Sequence, residues 1–369
     1  MTPRRQAVGT DSSGVEYIMK KTIAILSGDG IGPEVTNQSV RLLKKVAGRF
    51  NHQFDFKEGL VGAIAINQTG DPLPKETLQL CKDSDAVLFG AIGDPKYDND
   101  PTVEVRPEQG LLALRKGLGL YANIRPIYTF NETLSQSPIK EELIKDVDFI
   151  VIRELTGGIY FGDKGKSEDG KSAFDTCTYS VEEIERVAKY AFELALKRHK
   201  KLTVVDKANV LETSRLWRKT IQEMQKDYPK IEVNFMFVDN AAMQIIKLPK
   251  SFDVILTENM FGDILTDEAS VITGSLGMLP SASIGTSTSM YEPIHGSYPQ
   301  AADKNIANPI GSMLSAAMLL DYSFGLKKES EIIVSAIKNI LSQGFGTEDI
   351  VKHNPLSTIL FAAKVIESI

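Results

Sequence analysis

Short continuous apolar runs recur along the chain, each closed by glycine or charged residues, and amphipathic stretches lie between several of them. Residues 22–26, 86–93, 148–153, 202–205, 232–238 and 252–256 are such runs. Apolar stretches of this length between turn signals predict strands buried on both faces. Val35, Val40, Leu42, Leu43 and Val46 fall on one face of a helix, and residues 181–197 have equally good helical spacing. Residues 310–320 are small or apolar on several sides, which predicts a buried helix. In residues 107–118, Leu111, Leu114 and Leu118 have core spacing, while Leu112 and Arg115 share a neighbouring face. Pro126 disfavours helix before it, so residues 121–126 are extended. Residues 173–179 alternate like a strand and, with the glycine-rich stretch 156–162, form a long hairpin arm. Strands alternating with helices predict an α/β protein.

Charged side chains recur where the buried strands give way to loops. Arg153 closes one strand, Lys207 follows another, and Asp239 ends a third at Asp239-Asn240. After the strand at 252–256, Asp263 and Asp267 stand four apart in a helical segment, so their carboxylates stack one turn apart. Like charges at that spacing repel unless a cation lies between them. Hard oxygen ligands so presented suit Mg²⁺ or Mn²⁺. The glycine-rich turn at 27–34 reads Gly-x-Gly-x-Gly, which is not the dinucleotide spacing, and Pro33 removes a backbone donor. No Lys-Ser/Thr follows, so a P-loop ATPase is excluded. The segment is a tight strand-to-helix turn with proline in the helix's first turn.

Composition narrows the rest. A chain of 369 residues is long for one core and predicts two domains or one large α/β unit. A formal net charge of -6 and the lack of a basic tract argue against a nucleic-acid partner. No apolar run is long enough to span a membrane. Cys81 and Cys177 give neither a disulfide framework nor metal-ligand spacing, which points to a cytoplasmic protein. Residues 1–18 read as a disordered leader without the apolar core of a secretory signal.

From Lys20 to the C-terminus the chain resembles the β-decarboxylating dehydrogenases, the isocitrate/isopropylmalate dehydrogenase family. The resemblance rests on GDGIGPE at 28–34, RELTGGIYFG at 153–162, DKANV at 206–210, FGDILTD at 261–267 and EPIHGS at 292–297, in this order. It implies a two-domain fold distinct from the ordinary Rossmann fold. The first domain would comprise 19–120 and 273–369, the second 121–272, with the active cleft between them. It also implies a homodimer that exchanges the arm at 157–179 and shares its active sites. Arg115, Arg125 and Arg153 would hold substrate carboxylates. Asp263, Asp267 and the partner subunit's Asp239 would bind Mg²⁺ or Mn²⁺, with Asp239 and Asp263 also near the substrate. Lys207, reaching in from the second subunit, would accept the hydroxyl proton, and Tyr160 would protonate the enolate carbon. Glu108, His295, Gly296, Ser297 and Asn308 would line the NAD site.

Two positions address specificity. Leu111 and Leu112 would form an apolar wall where an isocitrate-type enzyme needs a polar residue, which favours 3-isopropylmalate, the substrate of leucine biosynthesis. The alternatives are isocitrate, homoisocitrate, tartrate or malate. Gln300 stands where NAD-linked members usually carry an aspartate, and the lysine–tyrosine pair of NADP-linked relatives is absent, which favours NAD.

Overall fold

The computed structural model describes residues 18–98 and 103–369. The expected leader lies, apart from Ile18, outside them. In chain order the strands are β1 (Lys20–Gly28), β2 (Gln53–Glu58), β3 (Ala86–Ala91), β4 (Leu120–Tyr128), β5 (Asp148–Glu154), β6 (Lys164–Lys166), β7 (Ala173–Asp175), β8 (Lys201–Asp206), β9 (Glu232–Phe237), β10 (Val254–Thr257), β11 (Pro280–Gly285) and β12 (Ser289–Pro293). The helices that matter here are α1 (Gly32–Arg49), α2 (Pro107–Leu118), α3 (Val181–Lys197), α4 (Val238–Lys247), α5 (Asn259–Thr273), α6 (Ile310–Tyr322) and α7 (Thr358–Glu367).

The chain divides into two compact units. The first holds the described residues up to Leu118, together with Gly277–Ala282 and Ser287–Ile369. Its strands run in the order β2-β1-β3-β12-β11, with β1 parallel to both β2 and β3, and β12 parallel to β3. Every residue of β3 is buried, whereas β2 at the edge alternates between half-buried and exposed over most of its length. This is the difference expected between a central and an edge strand. Helix α6 has no exposed face from Ile310 to Leu320 and packs against α1 and β12. Continuous apolar runs and all-round apolar helices thus end in the core, as the pattern predicts.

The second unit comprises Gly119–Leu276 and Ser283–Thr286. Its strands run β4-β5-β10-β8-β9, with β4 antiparallel to β5 and the remainder parallel. The short strands β6 and β7 pair as an antiparallel hairpin, with Gly165 opposite Phe174, and both are largely exposed. Residues 176–179 do not extend this strand pairing. Helix α3 starts with a full capping box, in which Ser180 and Glu183 satisfy each other's backbone donors. Asp239 does not end a strand as expected: β9 stops at Phe237, and Asp239 sits in the first turn of α4. The strand passes into the helix without a glycine or proline to mark the change.

Candidate active site

In the second unit, strand pairing collects the charged residues. Asn123 lies opposite Arg153 and Arg125 opposite Val151 across the β4–β5 pair. Side chains two apart on a strand share a face, so Asn123, Arg125 and Arg153 point the same way. On the other side of β5, Thr257 of β10 is in register with Arg153, which delivers the start of α5 beside that arginine.

Both arginines are buried, and acceptors on α5 compensate for their charge. Arg153, 2% exposed, donates from Nε to Asn259 Oδ1 at 3.0 Å and from Nη1 to Asp263 Oδ1. Arg125 donates to Asn123 Oδ1 at 2.6 Å and to Thr266 Oγ1 at 2.5 Å, and pairs with Asp263 and Asp267, each at 3.6 Å. Tyr160 donates its hydroxyl to Asp263 Oδ2 at 2.9 Å. Five side chains expected at the site, Arg125, Arg153, Tyr160, Asp263 and Asp267, therefore form one cluster. Its two positive and two negative charges balance. Asp267 stays open to solvent on one side, yet partial desolvation raises its carboxyl pKa, offset in part by Arg125.

Lys207 and Asp239 form a separate pair in the same unit. The β8–β9 register sets Asp206 opposite Phe237, and the Lys207 Nζ to Asp239 Oδ1 distance is 2.5 Å. The lysine's hydrogen bond holds the Asp239 carboxyl below its ordinary value. Among the described residues of one chain, no three histidine, cysteine or acidic side chains converge as a metal site. Asp263 and Asp267 are one carboxylate pair; Asp239 is engaged elsewhere in the chain.

The first unit carries the remaining expected residues. Arg115, in the last turn of α2, is buried, its Nη2 3.4 Å from Glu292 Oε1, and its Nε has no partner. Leu114 and Leu118 of the same helix are buried, but Leu111 and Leu112 are both half-buried. Leu111 therefore departs from the core role its spacing predicted. Glu108 is exposed and flanks Gly93: a Cβ placed there would lie 3.4 Å from Glu108 Oε1 and 3.3 Å from Ser297 Oγ. The glycine-rich turn packs on the same loop. Gly30, at a φ of +57°, lets the chain approach so closely that a Cβ would sit 2.0 Å from the Ser297 carbonyl oxygen.

His295 donates from Nδ1 to the Gly296 carbonyl at 2.9 Å, which fixes the tautomer and leaves Nε2 as an acceptor. That nitrogen is buried without a partner, and burial lowers the imidazole's pKa, keeping it neutral. Gly296 is exposed with open space where a side chain would stand. A neutral acceptor beside open backbone fits the amino edge of an adenine. Asn308 is different: its Nδ2 donates to Asp349 at 2.9 Å, and its Oδ1 accepts from Ile310 N at 3.0 Å. Both polar ends of that side chain are engaged within the fold.

Known proteins resemble this chain over nearly its whole described length. The family described as isocitrate/isopropylmalate dehydrogenase matches residues 22–369. The chain belongs to this family. It is 56% identical to 3-isopropylmalate dehydrogenase of Bacteroides fragilis over 89% of its length and 92% of that protein's. Against 3-isopropylmalate dehydrogenase of Aquifex aeolicus the identity is 54%, covering 90% and 92%. Among solved structures, isocitrate dehydrogenase from Methylococcus capsulatus superposes with a TM-score of 0.85 at 32% identity, covering 94% of this chain and 99% of that one. The chain is an oxidoreductase of this family, and no helix among the described residues is long and apolar enough to cross a membrane.

Four residues of these clusters have no role assigned by the sequence reading: Asn123, Asn259, Thr266 and Glu292. Asn123 had a readable signal, since it stands two before Arg125 on an extended segment. The others become partners only through long-range pairing.

Proposed function

We propose that this protein oxidises and decarboxylates 3-isopropylmalate to 4-methyl-2-oxopentanoate with NAD as hydride acceptor, in leucine biosynthesis. The observation that carries the substrate choice is the Leu111–Leu112 pair, half-buried and uncommitted to the core, one turn before Arg115. An isopropyl group against such a wall gains about 2 kcal/mol by burial, whereas a carboxylate there loses its hydration without a partner. The identity to proteins named 3-isopropylmalate dehydrogenase supports the same choice.

The residues fit both groups the reaction needs. His295, Gly296, Ser297 and Glu108 hold the cofactor in this reading, while Asn308 shapes the loop through its internal bonds. Asp263 and Asp267 hold a divalent cation, with Asp239 contributed by the partner subunit of a homodimer. When bound, NAD takes up the hydride and the cation withdraws charge from the hydroxyl oxygen and its successors. With the partner subunit's Lys207 and the partner subunit's Asp239 cancelling each other, a dication would leave the balanced cluster two charges positive, which matches a substrate with two carboxylates.

The chain's own residues then act in turn. Arg115, Arg125 and Arg153 bind the carboxylates, which the planar guanidinium does bidentately. Lys207 of the partner subunit accepts the hydroxyl proton as the C2–H bond yields its hydride. The C3 carboxylate leaves as CO₂, its bonding pair passing into an enolate. Tyr160, whose hydroxyl is already directed into the cluster at Asp263, donates the proton to C3. Initial rates of NAD reduction with a panel of 2-hydroxy di- and tricarboxylates test the reading. Expected is a kcat/KM for 3-isopropylmalate at least about a hundredfold above that for isocitrate; comparable values reject it.

A further inference from the structure

The two ends of the arm meet at one residue that the mechanism does not use. Asn259, 1% exposed at the start of α5, spends its side-chain oxygen, its side-chain nitrogen and its backbone N–H on three different partners. Its Oδ1 accepts from Arg153 Nε at 3.0 Å, its Nδ2 donates to the Gly157 carbonyl at 3.0 Å, and its backbone N–H donates to the Tyr179 hydroxyl at 3.0 Å. Gly157 is where the chain leaves β5 for the arm, and Tyr179 is where it returns. The two are in contact: a Cβ on Gly157 would stand 2.6 Å from the Tyr179 ring, and one on Gly158 would stand 2.4 Å from its hydroxyl oxygen. Tyr179 is buried and packs edge-on against Trp217 at 5.4 Å between ring centroids. Below this junction Glu154 accepts from the backbone of Thr156 and Gly157 at 2.8 Å each, fixing the turn out of β5.

This arrangement has a simple mechanical content. A buried guanidinium keeps one orientation only while its donors are satisfied, and Arg153 Nε has Asn259 as its acceptor. The same amide holds the root of the arm. Displacing the Gly157 carbonyl would leave the side-chain amide with an unmet donor inside the protein, and turning it to find another acceptor would remove the acceptor from Arg153. Displacing the Tyr179 hydroxyl would leave the Asn259 backbone N–H unmet and release the start of α5 that carries this amide.

We propose that Asn259 is a positioning residue that couples the seating of the arm to the orientation of Arg153, so that the substrate-binding arginine is correctly presented only when the arm root is docked. The proposal rests on the reading of Arg153 as a carboxylate ligand. It assigns Asn259 no contact with substrate.

The test combines a direct readout of the arginine with kinetics. In ¹⁵N-labelled protein, the Arg153 Nε–H signal, identified by its loss in Arg153→Lys, should be protected from solvent exchange. Asn259→Ala should expose it, and Asn259→Asp, which keeps the acceptor, should retain protection. Tyr179→Phe removes only the arm-side hydroxyl and should speed exchange at Arg153, a residue it does not touch. In kinetics with 3-isopropylmalate, Asn259→Ala should lower kcat/KM roughly 10- to 100-fold, mainly through KM. In an Arg153→Lys background the same change should cost less than about threefold. An Arg153 signal unaffected by both Asn259→Ala and Tyr179→Phe, or an equal loss in both backgrounds, overturns the proposal. If the folded wild type shows no turnover, the functional reading falls instead, and the exchange data alone decide whether arm and arginine are coupled.

Discussion

Glu258 is a carboxyl group in the wrong surroundings for its charge. It is 5% exposed, Glu154 lies near, and its hydrogen-bonding company is the Cys177 thiol, with sulfur and oxygen 3.9 Å apart. Burial, and secondarily the Glu154 charge, push its pKa up to about 7. The folded state therefore keeps a proton that the unfolded chain releases near its ordinary value of 4.5. The stabilisation is complete below that value and is lost as pH rises towards 7. Replacing it by Gln should leave stability near pH 4 unchanged and raise it at pH 8 by on the order of 3 kcal/mol, flattening the slope between. Urea unfolding at several pH values measures this; an unchanged slope refutes it. Asp267→Asn makes a second case. This exposed carboxylate has a charge partner in Arg125 but no core role, so the variant should melt within a few degrees of wild type yet lose turnover at ordinary Mg²⁺. Full activity after chelator treatment would reject the metal assignment. At this scale the sequence is readable where chemistry demands a residue type, as for the arginines and aspartates. It is silent where a residue serves another one, as with Asn259 and Glu292, whose partners lie 106 and 177 positions away.

Among elements, legibility followed punctuation. The apolar runs at 86–93 and 252–256 are plain because the strands there, Ala86–Ala91 and Val254–Thr257, are buried on both faces, and the helix expected at 310–320 is equally plain. The start of α4 is not, because Phe237, Val238 and Asp239 carry the chain from period two to period 3.6 without a break. The glycine-rich turn between β1 and α1 illustrates a third situation. Its spacing does not match a phosphate-loop motif, and in the structure its glycines admit neighbouring backbone. Gly30→Ala would force an unfavourable φ and drive a methyl into the Ser297 carbonyl. A loss of stability of about 2–3 kcal/mol is expected, with the KM for NAD raised about tenfold because the His295–Ser297 loop must move. Thermal melts and NAD titrations measure both; a neutral substitution would show that the turn does not position the loop. Helix α1 contributes to the same region, since Glu34 accepts from the backbone of Asn305 and Ala307, each at 3.2 Å, and from the Thr358 hydroxyl of α7.

For the molecule as a whole, the pairing of Lys207 with Asp239 within one chain invites a test of whether they serve a shared site. If one subunit supplies Lys207 to the other, Lys207→Ala and Asp263→Asn proteins are each inactive alone. Random mixing makes about half of the dimers hybrid, with one intact site in each, so up to about a quarter of wild-type activity should return. No recovery after verified subunit exchange excludes the arrangement.

The pairing of β3 with β12 has a consequence for synthesis on the ribosome. Ala86, Val87 and Leu88 find their partners Ser289, Met290 and Tyr291 only after roughly 200 further residues have been made. At typical translation speeds of about 5–20 residues per second, that is a wait of ~10–40 s. During it, the strand that ends fully buried has one unzipped margin, while β4, β5, β8, β9 and β10 are all completed by Thr257. The half of the protein begun first is thus finished last. A nascent chain halted between residues 120 and 276 should present β3 as a sticky apolar margin, and chaperone occupancy should peak over that interval of elongation.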